Sequence, residues 1–304
     1  MELSVVVPTL NGRDRLAASL DSLAARAPGA EVVVVNGPSA DGTTGMVRER
    51  DDVDVLVEVA DRCINVARNA GIAAAKGDAI ALLGFDLRIT AGWVDAVRDG
   101  LATANVVTGP ASRGSDADGE AERRTIAGRD VTYFDGDNVA FRASTLRGTL
   151  DGFDEYLHTG GARDAAHRLA GAGEEVVWRD GMGATREEGD GAGGPGPHGP
   201  DEQDRTWKYR SLSYRLTKNY GPRPTVARRT LSHAASDAVA AARGVIGGEG
   251  SPSSWFGSGR DVIVGIARGS ADGLVARARD RSDTRNPNGL SVDRERAVAT
   301  YDRR

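Results

Sequence analysis

The stretch LSVVVPTLNGRDRLAASLDSLAARAPGAEVVVVN, running from Leu3 to Asn36, decides the fold. Leu3–Val7 is a short, mainly β-branched apolar run without polar alternation, the pattern of a strand buried on both faces, and Pro8 is expected to end it. Leu16, Leu20 and Leu23 then recur at helical spacing up to the Pro28-Gly29 break. Glu31–Val35 is a second buried strand, closed by Asn36-Gly37-Pro38. Working outward, a short helix is expected near Thr43–Arg50 and a strand over Val53–Val59. A helix follows over Ile64–Lys76, with a stripe of small residues at Ala67, Ala70, Gly71 and Ala74, and Ala79–Leu83 is a fourth strand. This β-α-β-α-β-α-β order implies a Rossmann-like, mostly parallel sheet with helices on both faces. Ligands of such sheets bind at the carboxyl ends of the strands, which here are Pro8–Asn11, Asn36–Asp41 and Gly84–Asp86.

Composition narrows the class. The 304 residues are 39% hydrophobic and 27% charged, as in a globular chain. Cys63 is the sole cysteine, which excludes an internal disulfide framework and a cysteine-based zinc site. No run reaches the roughly 18 apolar residues of a membrane span, and the start resembles no secretion signal, so a cytoplasmic location is expected. The net charge of −5 conceals an asymmetry: residues 205–304 carry +10 and residues 1–204 carry −15. Two units are therefore expected, an acidic α/β body over 1–204 and a basic helical extension over 205–304.

The middle of the chain reads as a strand at Val106–Thr108, a polar loop over 111–128, an interrupted strand over Phe134–Phe141, a helix over Asp164–Ala172 and a last strand at Glu175–Trp178. Residues 181–204 are dense in Gly, Pro and acids and are expected to form a loop or lid. Beyond them, Arg205–Tyr220 combines five bases and four aromatics with no acid. Helices are expected near Val226–Arg243 and Arg260–Arg281, preceded in the second case by Trp255-Phe256. Basic charge beside aromatic edges suits an anionic lipid surface or a lipid-linked phosphate better than nucleic acid. The competing reading docks these helices on the body with their bases outward.

SVVVPTLNGRDRLAASLDSL, EVVVVNGPSADGT, ARNAGIAAAKGDAIALLGFD, GDNVAFR and GFDEYL…GGARDAAHRLAGAG occur in the order and spacing of the inverting family-2 glycosyltransferases. The resemblance spans roughly residues 3–180. It implies a GT-A fold and transfer of a sugar from a nucleotide-sugar to a hydroxyl or lipid-phosphate acceptor with inversion, in glycan or glycolipid assembly. By this resemblance the donor would contact Pro8, Thr9, Asn11, Asn36, Asp41, Arg68, Asn69, Asp86, Asp137 and Asn138. Asp41 and Asp164 have helix capping as their alternative role.

The chain departs from the family pattern at several places. Asn36 stands where a base-reading Asp is usual. Gly84 replaces the first acid of the Leu-Asp-x-Asp motif, leaving Asp86 as the expected ligand of Mg²⁺ or Mn²⁺. Gly161 and Ala162 stand at the Glu-Asp pair that supplies the general base, which leaves Asp164 as the candidate base. These departures keep a second reading open, a degenerate relative that binds a nucleotide-sugar or a partner without turnover. The expected partners are the donor, a lipid-linked acceptor and the inner face of an anionic membrane.

Overall fold

The structure, a computed structural model, describes residues 1–113, 120–186, 205–228, 230, 232, 252–279 and 296–304. Its centre is an eight-stranded sheet. The first four strands, β1 (Leu3–Thr9), β2 (Glu31–Asn36), β3 (Val55–Val59) and β4 (Ala79–Leu83), pair in parallel. They are joined by α1 (Arg13–Arg26), α2 (Thr43–Arg48) and α3 (Ile64–Ala74). β1 runs on through Pro8, which lacks an N–H. The ring is tolerated because β4 pairs with β1 only from Leu3 to Val6.

Next come β5 (Leu87–Ile89), α4 (Trp93–Thr103), β6 (Val106–Thr108), β7 (Ala111–Arg113), β8 (Arg123–Ile126), β9 (Arg129–Thr132) and β10 (Asn138–Arg142). α5 (Gly161–Ala172), β11 (Val176–Trp178) and β12 (Ala184–Arg186) follow. The main sheet has the order β11-β6-β10-β4-β1-β2-β3-β13, in which β10 is antiparallel to β4 and β6. β13 (Ala297–Asp302) lies antiparallel on the outer edge of β3. β5, β12 and β7 form a small second sheet, and β8–β9 a hairpin.

Alternate residues of the central strands feed two cores. Val5, Val7, Val34, Ala81 and Leu83 face α1 and α4, while Val6, Val33, Val35, Ile80 and Leu82 face α3, α5 and α6. Burial on both faces is why the strands read as unbroken apolar runs. The small-residue stripe of α3 has its reason here: a Cβ on Gly71 would lie 2.2 Å from a methyl of Val6.

The basic segment does not stand apart from the body. α6 (Arg205–Tyr220) inserts Tyr209, Leu212, Leu216 and Tyr220 into the same core as α3 and α5. α7 (Pro252–Arg279) packs along α6 through Gly265, Gly269 and Gly273, where an added Cβ would meet the carbonyl oxygens of Thr206, Arg210 and Tyr214 at 2.5, 2.2 and 2.6 Å. These glycines bring the two backbones close, as small residues do at tight helix crossings. Of the helix expected at Val226–Arg243, residues 224–228 are helical, and most of the remainder lies outside the described residues.

The competing reading, in which the bases of α6 point outward, is corrected at Lys218 and Arg210, while Lys208 is exposed. Nζ of Lys218 is buried between Oδ2 of Asp154 at 2.6 Å and Oδ2 of Asp164 at 2.8 Å. Arg210 pairs with Asp272 at 2.8 Å, and Tyr214 donates to Asp154 at 2.8 Å. Removing one member of a buried ion pair leaves an uncompensated charge. Lys218→Ala is therefore expected to destabilise the fold by roughly 3–5 kcal/mol in urea unfolding, and a loss under about 1 kcal/mol would contradict this reading.

Candidate functional site

The carboxyl ends of β1, β2 and β4 lie on one edge of the sheet. At the β1–β2 side the chain ties itself together. Ser39 Oγ donates to Asn36 Oδ1 at 2.7 Å, and Asn36 Nδ2 donates to Thr44 Oγ1 at 2.8 Å. Asn11 sits at φ 52°; its amide donates to Ser39 Oγ at 2.9 Å and its Oδ1 accepts from Ala40 N at 2.8 Å. Asp41 accepts from the amides of Arg13 at 3.0 Å and Thr43 at 3.1 Å, and so joins the starts of α1 and α2. Burial would raise its pKa, but the Thr43 hydroxyl and these amides hold it below the usual carboxylate range. Asp41 thus takes the capping role, and Asn36 spends both ends of its amide inside the protein. Beside them Thr9 is buried, with its hydroxyl unpartnered among the described residues.

Around β4 and β10 lies an open cleft of about 930 Å³, lined by Arg68, Glu122, Asp135, Gly136, Asp137, the Gly160–Arg163 start of α5 and, from α6, Lys208 and Arg215. Arg68 projects from α3. Its Nη2 donates to the carbonyl of Gly136 and to Asp137 Oδ1, both at 2.9 Å. Asn69, its neighbour, takes a different role: its amide bonds the backbone of Phe153 and the carboxylate of Glu155, each at 2.8 Å, and fixes that loop. Asn138 is also structural, holding Trp93 Nε1 at 3.0 Å and the carbonyls of Pro110 and Met182 at 3.0 and 2.7 Å.

Asp86 meets a residue that the sequence reading missed. Arg186 grips it with two bonds, Nε to Oδ2 at 2.6 Å and Nη2 to Oδ1 at 3.1 Å. Arg15 approaches at 3.9 Å while lying over the Phe85 ring. Residues 184–186 form β12, paired with β5 so that Arg186 lies opposite Leu87, the residue after Asp86. The Gly-rich composition of 181–204 conceals this short strand; residues 187–204, the rest of the expected loop or lid, lie outside the described residues. Arg186 also feels the charges of Asp137 and Asp135.

Asp164 is wholly buried and does not line the cleft. Lys218, Arg168 at 3.0 Å and Asn219 at 2.8 Å occupy its oxygens. Burial alone would raise its pKa, but Lys218 and then Arg168 hold it well below the usual range. A carboxylate so stabilised as an anion is a poor proton acceptor, so its expected role as base is replaced by that of an anchor for α6.

The chain has a match to the family model for glycosyl transferase family 2 over residues 4–157. It is 28% identical over 198 residues to the pre-mycofactocin glycosyltransferase of Mycobacterium tuberculosis, covering 58% of this chain and 40% of that protein. The chain thus spans about two fifths of the length of these curated relatives. Among solved structures, Staphylococcus aureus TarS 1–349 in complex with UDP-GlcNAc superposes with a TM-score of 0.56 at 16% identity, covering 72% of this chain and 68% of that one. The mannosyltransferase PcManGT of Pyrobaculum calidifontis in complex with GDP-Man and Mn²⁺ gives 0.53 at 19% identity, covering 92% and 88%. These likenesses establish the GT-A fold.

The Mn²⁺ of such neighbours has a poor counterpart here. Asp86 is the lone acid of its motif, and both its oxygens are taken by Arg186. A Cβ at position 84 would press on Asp137, lying 3.0 Å from its Cβ. Among the described residues no three His, Cys, Asp or Glu side chains are arranged to share an ion. In this arrangement Asp86 has both oxygens engaged by Arg186 and does not by itself make a closed site for a divalent ion. The cation facing Asp86 is a guanidinium. Mn²⁺ titration of the nucleotide-free protein, followed by electron paramagnetic resonance, should find no site tighter than about 1 mM. A tighter site that vanishes in Asp86→Ala would contradict this.

Proposed function

Because the chain belongs to glycosyl transferase family 2, we propose that it moves a sugar from a nucleoside-diphosphate sugar to an acceptor hydroxyl or lipid phosphate with inversion. The observation that carries this reading is the meeting of Arg68 and Arg186 with Asp86 and Asp137 beside an open cleft at the carboxyl edge of the sheet. A diphosphate leaving group needs cations that form directed hydrogen bonds, and guanidinium forks supply both. In this reading Arg186 exchanges Asp86 for a phosphate oxygen, while Asp137 keeps the Arg68 guanidinium aimed. Pro8, Thr9 and Asn11 border the nucleoside, with the unpartnered Thr9 hydroxyl available to it. Asn36 acts by holding the β2–α2 turn in place, so the choice of base falls to the backbone around it.

Calorimetry with UDP and GDP, and release of either from UDP-GlcNAc or GDP-mannose, test this. Arg68→Ala and Arg186→Ala should each weaken nucleoside diphosphate binding about 10–100-fold, the worth of a charge-assisted bond. Unchanged affinity in both variants would overturn the placement. Binding without any turnover would favour the degenerate relative that Gly161 and Ala162 suggest.

We also propose peripheral attachment to the inner face of an anionic membrane, where a lipid-linked acceptor would lie. Among the described residues no helix is long and apolar enough to cross a membrane. The face expected to attach lies elsewhere than on α6, whose Tyr214 and Lys218 are buried. The outer side of α7 exposes Ile263, Ala267, Leu274 and Val275 next to Arg260 and Arg268. Apolar side chains flanked by bases are the pattern of a helix lying in a lipid interface. The side chains of Trp255 and Phe256 lie outside the described residues. Co-sedimentation should be selective for anionic vesicles, fall at high salt and weaken in Ile263→Asp/Leu274→Asp. Indifference to anionic vesicles at low salt would point to a soluble acceptor.

A further inference from the structure

Transfer to a hydroxyl requires a group to take its proton, and the start of α5 offers none. Gly161 faces Asn65 so closely that a Cβ would lie 2.4 Å from its Nδ2. Ala162 is half-buried and lies beside the turn before β10: a Cβ on Gly136 would lie 3.0 Å from Cβ of Ala162 and 2.8 Å from Nη2 of Arg68. That turn brings its own acids to the place where the family pair would stand.

Three carboxylates line the cleft, those of Glu122, Asp135 and Asp137. Two are committed. Glu122 pairs with Arg163 at 2.8 Å and Arg124 at 3.1 Å, and Asp137 with Arg68 at 2.9 Å. Asp135 differs. Its Oδ1 accepts the amide of Asp137 at 2.9 Å, and among the described residues no cation pairs with it. Its side chain is exposed to the cleft. Desolvation there, and after it the charge of Asp137, pushes its pKa up, against weaker opposite pulls from the Asp137 amide, Arg68 and Arg186.

We propose that Asp135 is the general base of the transfer, carried on the turn before β10 in place of an acid at the start of α5. This rests on the transferase reading above. The acceptor O–H proton passes to Oδ2 of Asp135. The acceptor oxygen bonds to the anomeric carbon as that carbon's bond to the diphosphate oxygen breaks, and the electron pair leaves with the nucleoside diphosphate toward Arg186 and Arg68. Once the product departs, the proton goes to solvent.

Water serves as the acceptor in the test, with release of UDP from UDP-GlcNAc and GDP from GDP-mannose followed from about pH 5 to 9. Asp135→Asn should lose turnover by about 10²–10⁴-fold while donor affinity by calorimetry stays within about threefold. The acidic limb of kcat/KM should disappear with it, and Asp135→Glu should restore part of the rate with a shifted limb. The other groups facing the cleft are Glu122, Asp137, Arg68, Arg124, Arg163, Tyr133, His158, His167, Lys208 and Arg215, with Arg186 adjoining. Two of these are histidines, so the limb should persist in His158→Gln and, if that variant folds, in His167→Gln. Wild-type turnover in Asp135→Asn would overturn the assignment while leaving the transferase reading intact, and so would a wild type that binds donor but releases nothing at any pH. Failure of the wild type to bind either donor would instead sink the transferase reading, and this inference with it.

Discussion

One ammonium group holds the working parts in place. Nζ of Lys218 lies between Asp154 and Asp164, and those two acids belong to the loop after β10 and to the first turn of α5. Arg168 and Asn219 complete the shell around Asp164, and Tyr214 that around Asp154. Desolvating so many charges costs several kcal/mol per ion unless each oxygen is satisfied, and here partners surround them. The arrangement works only with α6 docked, so the cleft wall at Gly160–Arg163 depends on a helix some 40 residues further along the chain. It is also sensitive to acid. The folded pKa of Asp164 is depressed, so its stabilisation is complete above the ordinary carboxylate value of about 4 and is lost as the pH falls through the folded pKa.

A second theme is the exchange of cleft acids for other groups. The position of a motif acid is Gly84, packed against Asp137, and the surviving Asp86 is gripped by Arg186. The Glu-Asp pair is Gly161-Ala162, and the turn carrying Asp135 and Asp137 lies beside it. The substitutions are mutually consistent. Fewer acids leave less like charge beside a diphosphate, and the guanidiniums of Arg68 and Arg186 stand near enough to this edge to meet it.

The half of the fold built from local alternation was legible in the residues. The runs at Leu3–Val7, Glu31–Val35 and Ala79–Leu83 are strands buried on both faces, and the small stripe of α3 is explained by the contact of Gly71 with Val6. What escaped was set by partners remote in sequence. β12 is three residues long inside a Gly-rich stretch and exists through pairing with β5 and β7. β13 carries mostly exposed side chains and is defined by the edge of β3. The glycines at 265, 269 and 273, four residues apart, were a readable sign of close helix packing that the charge of the segment obscured. In the site, Arg68 meets Asp137, whereas Asn36, Asn69 and Asn138 turn their amides to the scaffold. Residue type alone does not reveal which way an amide faces.

The account stands or falls on where a diphosphate sits. A crystal structure of the full chain with UDP or GDP, grown without added divalent metal, addresses this directly. The account predicts both phosphates at the carboxyl edge of the sheet, between the guanidiniums of Arg68 and Arg186, with Asp86 released from Arg186 and Asp135 facing open cleft beyond the β-phosphate. Phosphates bound elsewhere, or an Arg186–Asp86 pair undisturbed beside a bound nucleotide, would contradict it.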